Sequence, residues 1–293
     1  MELRRGIIAG IGAYVIWGGS PIYWNAIKEV PPPEALAWRV VWAVAIVLLF
    51  LAARSNWDVL RGVVGSRKTL GISVVAGTLL TANWAIFLWA VTTGHIVEVS
   101  LGYYINPLMN VALGVMILHE RLSTPAKVSV AIAALAVVSM TIAGDTLPWI
   151  ALSLAITFAM YGLLKKQPEA APPLEGLLIE VTTAAVPLVA YLIYLVVENE
   201  SVVVASPQTW ALIPFSGAIT VAPLLLFGIA AQRIPLSTIG MLQYLAPTIQ
   251  LVIGVYLFAE TVTPVQKFGF ASVWLALGIY AADSILRSRR PTA

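Results

Sequence analysis

Along this chain, apolar stretches of roughly 20 residues alternate with short charged connectors, two of them rich in Pro. That is the length of helix needed to cross a hydrocarbon layer about 30 Å thick. Ten stretches can be counted, at about 6–28, 33–53, 70–92, 95–118, 125–144, 148–164, 175–197, 209–231, 236–259 and 264–286. None alternates polar and apolar positions over about ten residues, as a transmembrane β-strand would. The pattern predicts an all-α membrane protein, because a helix satisfies its own backbone hydrogen bonds where no water can.

The hydrophobic pattern also repeats. The stretch LGYYINPLMNVALGVMILHERLSTPAK at 101–127 returns 140 positions later without a gap. Tyr104, Pro107, Gly114, Val115, Glu120 and Lys127 fall on Tyr244, Pro247, Gly254, Val255, Glu260 and Lys267. The register continues backwards, with Gly77, Ala82, Phe87 and Ala90 on Gly217, Ala222, Phe227 and Ala230, and forwards, with Ala131, Leu135 and Ala136 on Ala271, Leu275 and Ala276. Such self-similarity marks a duplicated unit, here residues 1–145 and 146–293 with five spans each. An odd number of spans per unit makes the second copy start on the other side of the bilayer. The expected fold is therefore ten transmembrane helices in two inverted five-helix repeats around a central cavity, an arrangement common among secondary transporters.

Composition supports the membrane reading and charge orients it. Of 293 residues, 60% are hydrophobic and 11% charged, against roughly 45–50% and 25% in soluble domains. The net charge of +3 comes from basic residues scattered over connectors, which argues against nucleic acid as a partner. With a cytoplasmic N-terminus, the inner face collects Arg4, Arg5, Arg54, Arg61, Arg67, Lys68, Arg121, Lys127, Lys165, Lys166, Arg233, Arg287, Arg289 and Arg290. The outer face keeps Lys28 and Lys267 beside Glu29, Asp145, Glu198, Glu200 and Glu260. The positive-inside rule then places both termini in the cytoplasm. The opening MELRRG runs into the first span with no small-residue cleavage site, so it reads as a retained helix.

Several function classes find no support in the residues. There are no cysteines for a disulfide, an iron–sulfur cluster or a thiolate zinc site. No phosphate-binding Walker loop, HExxH metal motif or GxSxG nucleophile motif occurs. His95 and His119 are expected on opposite faces, which disfavours a metal site. The reading is a non-enzyme without cofactor or metal. A membrane-embedded enzyme or a non-transporting sensor would leave matched prolines in the two halves unexplained.

Candidate chemistry gathers at those prolines. Pro107 and Pro247 are expected to break their helices at matched depths, each freeing a carbonyl one turn earlier. Beside them stand Tyr103, Tyr104, Asn106 and Asn110 in one half and Gln243, Tyr244 and Gln250 in the other. Broken helices in corresponding positions point to a transport site; the plainer alternative is two kinks that let tilted helices pack. Trp17, Asn83, Trp84 and Tyr161 fall near mid-depth, and an aromatic and amide lining suits a planar or amphipathic organic solute. Packing alone is the competing explanation.

Ionisable residues inside a span are costly and mark functional candidates. Arg39 and Glu98 approach the same outer face, with His95 close by, so the three either form a cluster or each snorkels to the headgroups. Aligning PPPE at 31–34 with PPLE at 172–175 sets Arg39 against Glu180 in the repeat. Inversion puts those two on opposite faces, where each shapes a gate or serves structure alone. Proton coupling stays open, with His95 and Glu98 as the carriers if it occurs.

The segments ANWAIFLWAVTTGHIVEVSLGYYINPLMN at 82–110, TFAMYGLLKKQ at 157–167 and LSTIGMLQYLAPT at 236–248 closely resemble the RarD, or chloramphenicol-sensitive protein, group of EamA-type drug/metabolite transporters. The resemblance covers nearly the whole chain. It implies a bacterial inner-membrane permease whose cavity is lined by helices one to four and six to nine, working without ATP. It also implies relatives that export amino acids, aromatic metabolites, nucleosides or drugs. Asn83, Trp84, His95, Glu98, Tyr103, Tyr104, Asn106, Tyr161, Gln243 and Tyr244 lie in the matching segments. The expected partners are a small-molecule substrate and the lipid bilayer, with the chain a monomer or a homodimer. The expected activity is export of a small organic metabolite such as an amino acid, or of a drug-like amphipath; uptake and facilitated diffusion are the alternatives.

Overall fold

The apolar stretches become helices because a helix satisfies its own backbone hydrogen bonds away from water, and those starting at Pro32, Pro173, Pro207 and Pro214 each open on a proline, where the missing N–H costs no hydrogen bond. The computed structural model describes residues 2–55, 57–142, 149–259 and 264–288. Within them the order is α1 (Glu2–Ala26), α2 (Pro32–Arg54), α3 (Trp57–Gly65), α4 (Arg67–Thr92), α5 (Ile96–Met116), α6 (Thr124–Ile142) and α7 (Trp149–Lys165). There follow α8 (Pro173–Val197), α9 (Val202–Ala205), α10 (Pro207–Leu212), α11 (Pro214–Ala231), α12 (Leu236–Gln243), α13 (Leu245–Leu257) and α14 (Pro264–Ser288). Six stretches among the described residues are long and apolar enough to cross a bilayer: Glu2–Ala26, Pro32–Arg54, Arg67–Thr92, Pro173–Val197, Pro207–Ala231 and Leu236–Leu257. Asp145, Glu260, Arg289, Arg290 and the boundary between the two expected halves lie outside the described residues.

The sequence pattern misses two short helices and two breaks, one of them at Ile213, where the stretch expected at 209–231 divides into α10 and α11. α3, a short helix between α2 and α4, and the one-turn α9 are new elements. The stretch expected at 236–259 is two helices, parting at Tyr244 four residues after Gly240 and three before Pro247. A matched break in the first half does not form, since α5 continues through Pro107.

Packing partners are the same when the two sets of helices exchange places. α1 packs on α11 and α4 on α7; α2 packs on α11 and α4 on α8; α1 packs on α13 and α5 on α7. α2 and α8, α5 and α12, and α6 and α14 pack on each other. The matched glycines make matching close approaches. A Cβ at Gly77 would lie 2.8 Å from the Glu180 Cα, and one at Gly217 would lie 2.6 Å from the Trp42 backbone. Small residues at crossings let helix backbones approach where lipid supplies no hydrophobic drive.

Glu120 ties the end of α5 to α12. Its carboxylate accepts from the Leu236 N–H at 2.6 Å, the Ser237 N–H at 2.9 Å and the Ser237 hydroxyl at 2.6 Å. The residue before α12 is Pro235, which offers no side-chain cap, so Glu120 satisfies donors a helix start otherwise leaves unpaired. Glu120→Ala is expected to destabilise the fold by about 0.5–2 kcal/mol, read as a lower melting temperature of purified protein; Glu120→Gln, retaining acceptors, should lose less. An unchanged melt for Glu120→Ala would refute the capping role.

Candidate functional site

A cavity of about 640 Å³ opens between α1, α2, α4, α5, α7, α11 and the α12–α13 junction. Its mouth carries Lys28 and Val30 from the α1–α2 connector and Pro32 from the start of α2, and it reaches Tyr14, near the middle of α1. At 1.5 Å per residue, Tyr14 lies about 18 Å along α1 from its end at Ala26. The opposite end is shut by packed rings. Trp17 lies 5.5 Å from Tyr14, 5.8 Å from Phe158 and 6.0 Å from Phe227, while Tyr161 stacks on Phe227 at 5.7 Å. Tyr14, Tyr161 and Phe227 are fully buried, so the plug joins α1 to α7 and α11 through interdigitated aromatic faces.

The walls combine aromatic rings, amides and one guanidinium. Arg39 Cζ stands 4.3 Å over the Trp84 ring and 5.8 Å from the Trp24 ring, a cation–π geometry. Asn83 gives its Nδ2 hydrogens to the Leu154 carbonyl and the Thr157 hydroxyl, both at 2.9 Å. Gln250 donates to the Trp17 carbonyl at 3.3 Å. Asn110 donates to Gln243 Oε1 at 2.8 Å and to Asn106 Oδ1 at 3.3 Å. This chain of amides joins α5 to α12 beside the cavity floor.

Beyond the plug lies a second polar group. Lys165 Nζ pairs with Glu180 Oε1 at 2.5 Å, and the Tyr161 hydroxyl donates to Glu180 Oε2 at 2.9 Å. On the same face Lys166 Nζ donates to the Ile234 and Ala231 carbonyls at the end of α11. Burial draws the Lys166 pKa down, and the nearby Glu120 carboxylate draws it up. At the mouth, Glu29 is held below the usual carboxylate range by its own backbone N–H and by the Thr209 hydroxyl.

The expected site residues divide into three groups. Trp17, Asn83, Trp84, Tyr103, Asn106, Gln243, Gln250, Arg39 and Pro247 line the cavity. Tyr104, Asn110, Tyr161, Tyr244 and Pro107 do not. Tyr244 is fully buried and donates its hydroxyl to the Tyr104 carbonyl at 3.2 Å, so the two matched tyrosines meet each other rather than a solute. Tyr104 packs edge-on against Phe270, and Tyr161 belongs to the plug. His95 sits at the start of α5, stacked on Trp89 at 5.3 Å. The expected cluster does not form: among the described residues no ion pair joins Arg39 to Glu98 or His95, and Glu98 Oε2 is buried without a partner. Glu180 faces Lys165.

Sequence reasoning also passes over several residues here. Tyr14, Trp24, Phe87, Phe158 and Thr220 line the cavity; for the four aromatics, helical spacing from Trp17, Trp84 and Tyr161 is the available signal, and Thr220 has none. In the sequence Lys165 stands as one more connector cation, and Glu34 as part of a proline motif. Its carboxylate accepts from the Ser201 hydroxyl at 2.5 Å and from the Val202 and Val203 N–H groups at 3.0 and 3.1 Å, anchoring α9.

Comparison with known proteins places this architecture. The chain matches the EamA-like transporter family twice, over residues 4–142 and 147–281. It is 39% identical to the protein RarD of Streptomyces exfoliatus over 293 residues, covering 100% of this chain and 93% of that protein. It is 34% identical to the protein RarD of Escherichia coli strain K12, covering 99% and 98%, and 35% identical to the uncharacterized transporter YojE of Bacillus subtilis, covering 97% and 96%. A crystal structure 17% identical in sequence superposes with a TM-score of 0.75 over 98% of this chain and 99% of its own, so the fold is shared. The chain belongs to the RarD group of the EamA-like transporter family and is a multi-pass membrane transporter.

Proposed function

We propose that the protein is a secondary transporter that exports a small organic metabolite or drug-like amphipath across the bacterial inner membrane by alternating access. One observation carries the reading: the cavity opens at one end and is plugged by stacked aromatic rings at the other. A site that faces one side at a time needs that asymmetry and a second arrangement that reverses it. Ten spans in two inverted five-helix units would provide the second arrangement. The reading draws support from packing partners that exchange between halves, from the Gly77 and Gly217 crossings, and from two successive family matches. With both termini cytoplasmic, as the Lys and Arg distribution favours, the open end faces outward. Export as the direction rests on the family resemblance.

The test uses purified protein in liposomes, offered labelled amino acids, nucleosides and chloramphenicol with and without a pH gradient. Flux of at least one compound without ATP, changed by Trp17→Ala or Trp84→Ala at normal folded yield, is expected. Comparing right-side-out with inside-out vesicles assigns direction. Absence of flux or thermal stabilisation across the whole panel would end the small-organic-solute reading.

A further inference from the structure

Arg39 is the least satisfied charge in the cavity. The guanidinium is protonated at any physiological pH and carries five N–H donors in a rigid fork. Trp84 and Trp24 cover its faces, yet a ring face takes none of those in-plane donors. Its Nε is buried without a hydrogen-bond partner, and no carboxylate among the described residues forms an ion pair with it. A cation held at membrane depth is expensive when unpaired. The side chain is pinned by two indoles and aimed into a space large enough for a drug-sized ligand.

The rest of the lining has the same sign. Lys28 stands at the mouth, and no Asp or Glu lines the cavity among the described residues. Glu29, the carboxylate next to Lys28, is engaged with Thr209. The remaining walls are Trp17, Trp24, Trp84, Phe87 and Phe158, with neutral amides from Asn83, Asn106, Gln243 and Gln250. An ammonium group, whether on a cationic amine or on an amino acid zwitterion, meets no negative charge there. A carboxylate would meet a preformed bidentate partner.

We infer that the transported ligand is an organic anion: one carboxylate that pairs with Arg39, on a flat apolar body that fits among the tryptophans and phenylalanines. This names the substrate class for the site and rests on the transporter reading above. Arg39 is then the specificity-determining residue, with Lys28 drawing anions to the mouth through a long-range field.

Four probes share one indole body and differ in charge: indole-3-acetate, indole-3-acetamide, tryptamine and tryptophan. Binding to the full chain in detergent is measured by calorimetry, and flux by counterflow in proteoliposomes. Indole-3-acetate should bind at least tenfold more tightly than the other three, as expected for a charge-assisted pair. Arg39→Gln should abolish that preference and leave indole-3-acetamide unchanged, while Arg39→Lys keeps part of it. Folded yield of Arg39→Lys guards against a misfolded Arg39→Gln. Equal or tighter binding and flux of the amide, amine or zwitterion, or an undiminished acetate preference in Arg39→Gln, overturns the anion assignment and leaves the transporter reading standing. No binding and no flux of any of the four overturns the anion assignment; flux of chloramphenicol or a nucleoside in the same vesicles shows whether the transporter reading falls with it.

Discussion

Lys165→Met lowers the melting temperature of the purified protein by on the order of 10 °C, and the pair Lys165→Met with Glu180→Leu recovers most of that loss. Lys165 and Glu180 expose only 4% and 1% of their side chains, so neither charge reaches water when its partner is removed. Leaving Glu180 buried and unpaired costs about 3–5 kcal/mol, whereas an apolar pair of similar volume is often neutral. For a chain this long, each kcal/mol shifts melting by about 2–4 °C. The Tyr161 hydroxyl, which donates to the other Glu180 oxygen, cannot replace an ammonium. A double variant no more stable than Lys165→Met alone would remove the ion pair from the account. The two residues belong to neighbouring helices α7 and α8, and Lys165 also runs beside α11, where a Cβ at Gly228 would lie 3.5 Å from its Cε. The pair therefore staples one bundle together, and flux per folded molecule in the double variant is expected to match wild type.

The sequence leaves open whether Glu180 shapes a gate or serves structure alone, and the reason shows what a linear pattern can encode. Depth along a helix is legible: of Trp17, Asn83, Trp84 and Tyr161, which fall near mid-depth by counting, the first three line the cavity and Tyr161 stacks on Phe227 beside it. Rotation about the helix axis is not legible from depth. Tyr103 and Tyr104 are adjacent, so one lines the cavity while the other packs its ring edge-on against Phe270. Lys165 ends an apolar run, where a snorkelling cation and a buried one look alike. Only its spacing from Tyr161, one turn earlier on the same face, hints at a shared partner. The repeat was legible because Tyr, Pro, Gly and Glu recur in strict register. The break at Tyr244 is not legible, because both prolines lie inside a helix and the first half shows no break at the matching Tyr104.

Gly240→Val prevents accumulation of folded protein, and Gly240→Ala lowers the melting temperature by an amount corresponding to about 1–3 kcal/mol of overpacking. A Cβ at Gly240 would lie 2.5 Å from the Pro107 carbonyl oxygen, 3.1 Å from Asn110 Cβ and 3.3 Å from Val111 Cγ2. The nearest of these is backbone in a continuous helix, so it cannot swing aside as a side-chain tip would. Separating α5 from α12 to make room would stretch the Asn110–Gln243 hydrogen bond and the Tyr244–Tyr104 contact, one on each side of the crossing. It would also move Asn106 and Gln243, which line the cavity from the two helices. Gly19→Ala is the control, because nothing lies within 4 Å of its added Cβ, and it should melt like wild type. Size-exclusion yield and a thermal melt decide the case: wild-type behaviour of Gly240→Ala would mean that the α5–α12 crossing tolerates spreading. The site would then not depend on the close approach that a missing side chain permits.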